Sequence, residues 1–456
     1  MNNSKSSHIS TISLDYAPDL ALTLFSPIAE QSWSMLLRSA SSSHPDSRYD
    51  VLVAQPIATL VTTDKTTEIK HQGSLVVSTN DPFSLVQEYL DILLPATKDD
   101  SELPFVGGAL GYFGYDLGRR VETLPCIAKK DINVPDMAVG LYEWAVIVDH
   151  HNKTACMVGL ETEKNLDWLL SQEQPVLSRF ILLSDWQSNM TKRNYVSKFN
   201  VVQEYLHSGD CYQINLAQRF RAQYQGSIWQ AYCHLEKANQ APFSAFIKLK
   251  NNAVLSVSPE RFLQIKDRKI ETKPIKGTRP RSDNPVKDME NVQDLVNTEK
   301  DQAENLMIVD LLRNDIGRVA KPGTVQVPLL FEVESFPAVH HLVSTVVAEL
   351  DDEYNATDCL RACFPGGSIT GAPKVRAMEI IEELEPHRRS IYCGSIGYIN
   401  RSGGMDSSIT IRTLVANDQN LYAWAGGGLV ADSQAESEYQ ETLDKLSKIL
   451  PILADS

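Results

Sequence analysis

The sequence predicts an α+β protein, whose strands and helices do not alternate strictly as they do in a doubly wound sheet. The chain up to about residue 185 is typical of short strands separated by turns. The part that follows mixes alternating strands with amphipathic helices. The chain has 456 residues, of which 43% are hydrophobic. That length and composition are enough for two large cores or one extended core.

The composition favours a cytoplasmic enzyme. The formal net charge is −15, which disfavours nucleic acid as a partner because phosphate binding requires a basic face. The seven cysteines are scattered without a CxxC pair, so neither a disulfide framework nor a zinc site is expected. The first residues lack the apolar stretch of a signal peptide, and no run of about 18 apolar residues could span a membrane. We therefore expect a cytoplasmic location and no membrane partner.

A polar segment near residues 184–191 separates two predicted regions, 1–185 and 190–453. In the first region, alternation and turn residues predict strands at 49–56, 58–63, 74–78 and 138–150. The Gly/aromatic run 107–116 predicts a close-packed strand, because no strand–helix–strand context supports a dinucleotide site.

The second region predicts elements of both kinds. A helix over 192–206 places Val196, Phe199 and Val202 on one face, and Ser-Gly-Asp of residues 208–210 ends it. Strands are predicted at 211–221, 244–249, 254–258, 261–265, 394–400, 408–415 and 420–425. Further helices are predicted at 298–313, 341–350, 374–384 and 434–450.

Lys276 lies in the run Lys-Pro-Ile-Lys-Gly-Thr-Arg-Pro-Arg of residues 273–281. Proline fixes φ and glycine permits unusual backbone angles, so this lysine is held on a stiff, turn-flanked segment. A lysine amine becomes a useful nucleophile when burial or neighbouring positive charge lowers its pKa. Lys273, Arg279 and Arg281 could supply that charge. Taken alone, the run is also typical of a solvated basic loop.

Two predicted helices carry acidic residues on one face. Asp301 and Glu304 are three residues apart, and Glu438, Glu441 and Lys445 form a second stripe. One acidic stripe is usually a solvated helix face. Two stripes on mostly buried helices could instead face each other and hold a divalent ion, and oxygen ligands with room for water suit Mg²⁺.

Two glycine-rich segments could bind anions. Segment 364–374 superficially matches a phosphate loop, but Ala372 occupies the position of the required lysine, so no nucleotide site is predicted. Segment 425–429 is a predicted turn whose bare N–H groups could hold a carboxylate, with a tight packing turn as the alternative. Arg412, in the predicted strand 408–415, could bind a carboxylate through two bonds or lie exposed.

Two further residues are unremarkable when taken singly. Glu260 lies at a strand-to-strand turn, and His341 follows His340. Together with the segments above, however, they complete an ordered set of motifs. The set resembles the chorismate-utilising enzymes over roughly residues 190–450, through segments 209–213, 258–262, 274–278, 303–310, 340–344, 364–374, 411–413, 426–428 and 438–442. The region before it is similar to the weaker-patterned first part of the same family, at residues 48–50 and 54–56.

The resemblance implies two large antiparallel-rich sheets packed together, with helices on the outside. It also implies that chorismate is bound with Mg²⁺ and aminated at C4, because relatives that form anthranilate carry alanine at the position of Lys276. Lys276 would attack C2 of the ring, and Glu260 would be the acid that assists departure of the C4 hydroxyl. Ammonia would then enter at C4 and expel the lysine.

Further roles follow from the same resemblance. Glu304 and Glu441 would hold Mg²⁺, with Asp301 and Glu438 in or near its coordination shell. Gln213 stands where the water-adding members carry a lysine base, which disfavours isochorismate and salicylate formation. Positions that bind the substrate match Gln213, Thr278, His341, Tyr398, Arg412, Gly426, Gly427, Gly428 and Lys445.

The resemblance also implies partners. No glutaminase signature is visible, so a separate glutamine amidotransferase subunit would deliver ammonia. The family has an N-terminal tryptophan pocket, and Leu37 and Ser39 occupy the matching segment. Arg38 stands where many members have a small, acidic or polar residue, so an amphipathic core segment is the alternative there. Two other functions stay open: an anthranilate-forming enzyme, and a non-catalytic subunit that binds tryptophan or chorismate.

Overall fold

The computed structural model describes residues 8–40, 46–96, 102–335 and 339–455. Its strands are β1 Ser10–Leu14, β2 Met35–Arg38, β3 Tyr49–Val53, β4 Ala58–Thr63, β5 Thr66–His71, β6 Ser74–Ser78, β7 Gly108–Phe113, β8 Met137–Tyr142, β9 Trp144–Asp149, β10 Thr154–Gly159, β11 Ile181–Leu182, β12 Gln187–Ser188, β13 Gln213–Gln225, β14 Phe243–Lys248, β15 Asn252–Ser258, β16 Arg261–Lys266, β17 Lys269–Thr272, β18 Ile275–Pro280, β19 Gln326–Ser335, β20 Val339–Glu349, β21 Gly371–Ala372, β22 Ser395–Asn400, β23 Met405–Ile409, β24 Thr413–Asn417 and β25 Asn420–Leu429.

The helices lie between these strands. They are α1 Leu20–Phe25, α2 Pro82–Leu93, α3 Thr162–Leu170, α4 Lys192–Ser208, α5 Ile228–Asn239, α6 Pro285–Asn297, α7 Glu299–Gly317, α8 Ala356–Cys363, α9 Lys374–Leu384, α10 Ala435–Asp444 and α11 Leu450–Ala454. Short 3-10 turns occur at Ser26–Ile28, Tyr115–Arg120 and Gly367–Ile369. None of the helices in the described ranges combines the length and the apolar character needed to cross a membrane.

The strands of the described residues form two large antiparallel sheets. The first has the order β1-β10-β9-β3-β2-β14-β15-β24-β25-β13-β11, with β12 and β21 also pairing β13. The second has the order β18-β20-β17-β16-β23-β22-β7-β8-β4-β5-β6, with β19 also pairing β20. Both sheets take strands from each side of the polar segment near residues 184–191. The division into regions 1–185 and 190–453 therefore stays a prediction from the sequence. Each of the two sheets contains strands from both regions.

The two sheets share one hydrophobic core. Buried side chains from the first sheet, such as Val51 and Ile147, belong to the same cluster as Leu60 and Leu110 of the second sheet. A second cluster joins the other face of the first sheet to α1, α5 and α11, for example through Trp229 of α5. The two packed antiparallel sheets with outer helices confirm the fold that the motifs implied.

Several elements match their predictions closely. The strands predicted at 58–63 and 74–78 and the helix predicted at 374–384 have the predicted limits. The helix predicted at 192–206 extends to Ser208, and Gly209 follows with φ 81°, the left-handed conformation that commonly ends a helix. The run 107–116 contains the fully buried strand β7, as predicted.

The helix predicted at 341–350 is wrong, because this segment lies in strand β20. Its sequence is rich in β-branched side chains, which suit a pleated strand better than a helix. Strand β20 pairs with β17, β18 and β19. Backbone pairing along both edges therefore outweighs the apolar spacing that suggested a helix.

Four other predictions differ from the structure in where elements break or continue. The strand predicted at 408–415 is two strands, β23 and β24, separated by Arg412 at φ 50°. The strand predicted at 138–150 is also two, β8 and β9. The turn predicted at 425–429 is absent, because strand β25 continues through the glycines to Leu429. The helix predicted at 434–450 ends at Asp444, and α11 begins only at Leu450.

Candidate active site

Strand β18 carries Lys276 at an irregularity in the sheet. The register against β20 shifts between Lys276 and Thr278, so that Gly277 is an extra residue with φ 69°. A Cβ at Gly277 would lie 2.9 Å from Cγ of Asp301, so there is no space for a side chain at this position. The positive φ is also a conformation that residues other than glycine rarely adopt. Glycine at this bulge lets the strand pass close to α7 while Lys276 stays in the ladder.

Lys276 is partly buried, and charged groups surround it. Burial lowers the pKa of its amine, and Lys445 acts in the same direction, whereas Glu304, Glu260 and Glu441 oppose them. A depressed pKa increases the fraction of neutral amine, which is the nucleophilic form.

The structure corrects the cause that the sequence suggested for this depressed pKa. Lys273, Arg279 and Arg281 are each paired with carboxylates. Their positive charges are therefore largely neutralised, and burial together with Lys445 takes their place.

Glu260 lies in the turn between β15 and β16, as predicted, and is 9% exposed. Its carbonyl accepts the N–H of Ile409 over 3.1 Å, which fixes the backbone. Burial raises the pKa of its carboxyl, while Lys276, a hydrogen bond from Ser368 and Lys445 lower it. A buried carboxyl with a raised pKa is suited to donate a proton near neutral pH.

Acidic residues of α7 and α10 lie within electrostatic reach of each other, which favours facing stripes over two solvated faces. Burial raises the pKa of Glu304, and the negative charges of Asp301 and Glu438 raise it further. The positive charges of Lys276 and Lys300 lower it, but they do not outweigh burial. Burial likewise raises the pKa of Glu438, with Glu441 acting in the same direction. Like charges held together out of water are costly, so the arrangement favours an added cation.

The residues predicted to bind Mg²⁺ differ in how free they are. Asp301 binds Arg279 over 3.0 Å, and Glu441 binds Lys445 over 2.7 Å. Over the described ranges, no group of three acidic, histidine or cysteine side chains is arranged to hold a metal ion by itself. Oxygen donors of this kind suit a hard ion whose shell is completed by water or substrate oxygens.

The three glycines of β25 bring the backbone against these acids. A Cβ at Gly427 would lie 3.0 Å from Oε2 of Glu438, and the carbonyl of Gly426 accepts from Nζ of Lys445 over 2.7 Å. A Cβ at Gly428 would lie 2.0 Å from Nε2 of Gln213. Only glycine allows the strand to approach Glu438 and Gln213 this closely. The glycines therefore shape the cleft through close packing.

Gln213 is buried without a hydrogen-bond partner. It is 1% exposed, and neither Oε1 nor Nε2 has a partner among the described residues. An unpaired buried amide is costly, by about 1–3 kcal/mol for each group. A polar ligand that binds here would satisfy the side chain, which supports the predicted role of Gln213 at the substrate.

Three more predicted residues lie at the rim of this cluster. Thr278 and His341 share a hydrogen bond of 2.9 Å between Oγ1 and Nδ1, across the paired strands β18 and β20. Arg412 has an exposed side chain, and desolvation by the protein packed around it lowers the pKa of its guanidinium. In the described part of the chain no carboxylate pairs with Arg412, so it is free to bind an anionic ligand.

Tyr398 and the two tryptophan-pocket residues lie elsewhere. Tyr398, Leu37 and Ser39 line a cavity of about 680 Å³ between the sheets, together with Arg261. The aromatic ring of Tyr398 contacts Phe105 at 5.5 Å between centroids. The structure therefore groups Tyr398 with the predicted tryptophan pocket and not with Lys276, which corrects its predicted role in ring binding.

Sequence reasoning missed the polar residues that hold the cluster in place. Asn305 of α7 is fully buried and accepts from the hydroxyl of Ser344 of β20 over 2.5 Å. This bond joins the helix of Glu304 to the strand that pairs with Lys276. Ser368 donates a hydrogen bond to Glu260, and the only signal for it in the sequence is that Ser368 lies in the family-like segment 364–374.

The comparison with protein families decides the identity of this architecture. Residues 36–451 match the family model described as chorismate binding enzyme. The chain belongs to the chorismate binding enzymes. The resemblance drawn from the ordered motifs is thereby confirmed, including its N-terminal part.

This chorismate binding enzyme is similar to aminodeoxychorismate synthase component 1 of Salmonella typhimurium strain LT2, at 56% identity over 96% of this chain and 97% of the relative. Its identity to anthranilate synthase component 1 of Aquifex aeolicus strain VF5 is 37%, over 94% of this chain and 91% of the relative. The crystal structure of anthranilate synthase component I from Streptococcus pneumoniae TIGR4 matches with a TM-score of 0.78 at 31% identity, covering 90% of this chain and 93% of that chain.

Proposed function

We propose that this chorismate binding enzyme converts chorismate and ammonia to 4-amino-4-deoxychorismate in the cytoplasm. The observation that carries the proposal is the pair formed by Lys276 and Glu260. The partly buried lysine has a lowered pKa, and the buried acid beside it has a raised pKa. A nucleophile and an acid with pKa values pushed in these directions can act together on one substrate. The 56% identity to an aminodeoxychorismate synthase component 1, against 37% to an anthranilate synthase component 1, supports this reaction over its closest alternative.

The substrate would be held by polar and cationic side chains of the cleft. Arg412 has no carboxylate partner among the described residues, so it can take one in the two-bond geometry that guanidinium favours. Thr278 and His341, which already bind each other, would orient the ring. Lys445, tied to the carbonyl of Gly426, would add positive charge on the opposite side.

Mg²⁺ would be held by Glu304 and Glu441, with Asp301 and Glu438 in or near its coordination shell. Its contribution would be to neutralise the ring carboxylate and fix its position. Glu438 and Glu441 both approach the backbone at Gly427. The chain itself keeps several carboxylates close together and partly out of water. This raises the pKa values of Glu304 and Glu438, so a bound cation would stabilise their ionised forms.

Lys276 and Glu260 would carry the first half of the reaction. The neutral amine forms a bond to C2 of the ring, and the electron pairs of the diene shift so that the C4–O bond breaks. The proton of Glu260 moves to the departing hydroxyl, which leaves as water. Lys276 lies in strand β18, and Glu260 lies in the turn between β15 and β16. Two different backbone elements therefore hold the two groups at one site.

Ammonia would carry the second half by entering at C4 and expelling Lys276 from C2. Gln213 favours this outcome over water addition, because a neutral amide cannot remove a proton from water as a lysine base can. We infer that a glutamine amidotransferase subunit supplies the ammonia from glutamine. Free ammonium salts are then expected to replace that subunit in vitro.

The product assay tests this proposal directly. The protein is incubated with chorismate, Mg²⁺ and ammonium, with and without aminodeoxychorismate lyase. Formation of 4-aminobenzoate only when the lyase is present supports the proposal. Fluorescent anthranilate without the lyase would instead identify an anthranilate-forming enzyme. Absence of any turnover would favour a non-catalytic subunit that binds tryptophan or chorismate.

A further inference from the structure

Segment 364–370 lies beside Glu260 and presents one hydroxyl to it. Ser368, in the turn Gly367–Ile369, donates a hydrogen bond to Oε1 of Glu260 over 3.2 Å. Within the described part of the chain, the Glu260 carboxyl makes no second hydrogen bond, so Oε2 carries none. The two oxygens of the acid are therefore already distinguished in the protein alone.

The backbone that carries Ser368 is fixed on both sides. Arg389, which is 1% exposed, donates to the carbonyl of Ile369 over 2.9 Å. The hydroxyl of Thr370 donates back to the carbonyl of Gly366 over 2.9 Å. Such support from buried hydrogen bonds is what a preorganised catalytic group requires.

The Ser368 side chain makes no other hydrogen bond in the part of the chain that the structure describes. Its hydroxyl does not cap the turn or bind a neighbouring backbone group, as serine hydroxyls in turns commonly do. The contact with Glu260 is thus what distinguishes serine from alanine at this position.

We propose that Ser368 is a positioning residue for the acid, whose hydroxyl holds Oε1 of Glu260 so that Oε2 delivers the proton. The inference rests on the proposed function, in which Glu260 protonates the departing ring hydroxyl. As the C4–O bond breaks, the proton passes from Oε2 to the hydroxyl, water leaves, and Glu260 becomes a carboxylate. Hydrogen bonds to a carboxylate are about twice as strong as those to a neutral group. The Ser368 bond therefore strengthens during the reaction and favours the transition state over the ground state.

The test compares full-length variants in the chorismate assay with saturating ammonium. Ser368→Ala removes the hydroxyl, and Ser368→Thr keeps one on a larger side chain. Ser395→Ala is the matched control, since Ser395 is a fully buried serine whose hydroxyl has no hydrogen-bond partner. The kcat, the KM for chorismate and the thermal midpoint are measured for each variant.

We expect Ser368→Ala to lower kcat by about 10- to 100-fold, the range for loss of a hydrogen bond to a charged group. Its KM and thermal midpoint should stay close to those of the wild type, because the bond matters mainly during proton transfer. Ser368→Thr should recover most of the lost kcat, and Ser395→Ala should lose little. An unchanged kcat in Ser368→Ala, or a loss that Ser368→Thr does not restore, would overturn the proposal.

The outcome can be separated from that of the proposed function. If the wild type forms anthranilate, the proposed function fails, but the ring hydroxyl still departs in that reaction. The kcat ratio between Ser368→Ala and the wild type then still measures the role of Ser368.

Discussion

The cleft around Lys276 and the cavity around Arg38 both contain charged groups buried between packed elements. In the cavity, Arg38 binds Asp50 over 3.0 Å and Glu236 over 2.5 Å. Burial alone would lower the pKa of Arg38, but these carboxylates outweigh it and raise the pKa. In the cleft the balance is reversed, because burial outweighs the nearby acids and lowers the pKa of Lys276.

The comparison separates paired charges, which are structural, from unpaired charges, which are available for chemistry. Arg261 in the cavity is held by Asp46 and Asp406, whereas Arg412 in the cleft has no carboxylate among the described residues. A fully paired charge stabilises one arrangement of the chain and has no capacity left for a ligand. Unpaired, desolvated charges cost stability in the free protein and recover it when a substrate binds.

The largest expected effect is on activity in the cleft. Lys276→Ala should lower amination by about 10³-fold or more, equivalent to about 4 kcal/mol of barrier. The unfolding free energy should stay the same or rise, because the variant removes a desolvated amine. Steady-state rates and urea unfolding measure the two quantities. Lys273→Ala is the matched control, since Lys273 lies three residues earlier and faces Glu334 at 3.7 Å. A similar loss of activity in both variants would contradict the special role of Lys276.

The cavity should respond in stability. Arg38→Ala leaves Asp50 and Glu236 buried without their partner, so we expect a loss of about 3–5 kcal/mol in unfolding free energy. Arg48→Ala is the control, because Arg48 is 33% exposed and its ion pair with Asp149 is therefore partly open to water, which predicts a loss of about 1 kcal/mol or less. Denaturant titration distinguishes them. Equal losses would show that the Arg38 network is not the stabilising feature of this cavity.

Substrate binding should depend on the unpaired guanidinium. Arg412→Ala should raise the KM for chorismate by about 10- to 100-fold, as expected for a lost charged hydrogen bond. Arg412→Lys should recover part of the affinity, since it keeps the charge without the two-bond geometry. A surface control is Arg313→Ala, whose partner Asp310 is exposed. A KM unaffected in Arg412→Ala would remove Arg412 from the binding site.

The smallest effect concerns tryptophan in the cavity. Leu37 and Ser39 line it together with Arg38, whose guanidinium is already paired with Asp50. Tryptophan at about ten times its Kd should add about 1.4 kcal/mol to the apparent unfolding free energy. Leu37→Asp should abolish the effect. Thermal unfolding with tryptophan and with phenylalanine measures it, and no difference from buffer would leave the cavity without this ligand.

The sequence predicted the cleft better than it predicted the backbone around it. Lys276, Glu260 and the two acidic stripes lie within electrostatic reach of one another, as their ordered motifs indicated. The strand at His341 was mistaken for a helix, since pairing with three neighbouring strands is invisible in local spacing. Tyr398 was misplaced because the sequence does not show which opening between the sheets a strand residue faces. The support from Asn305 and Ser344 depends on contacts between distant segments and could not be predicted.

Mass spectrometry of the quenched enzyme tests the central claim most directly. The protein is mixed with chorismate and Mg²⁺ without ammonia, denatured rapidly and digested. The account predicts a mass increase equal to chorismate less one water, located on the peptide that contains Lys276 and absent from Lys276→Ala. An unmodified Lys276 in an enzyme whose Lys276→Ala variant still aminates chorismate at the wild-type rate would contradict it.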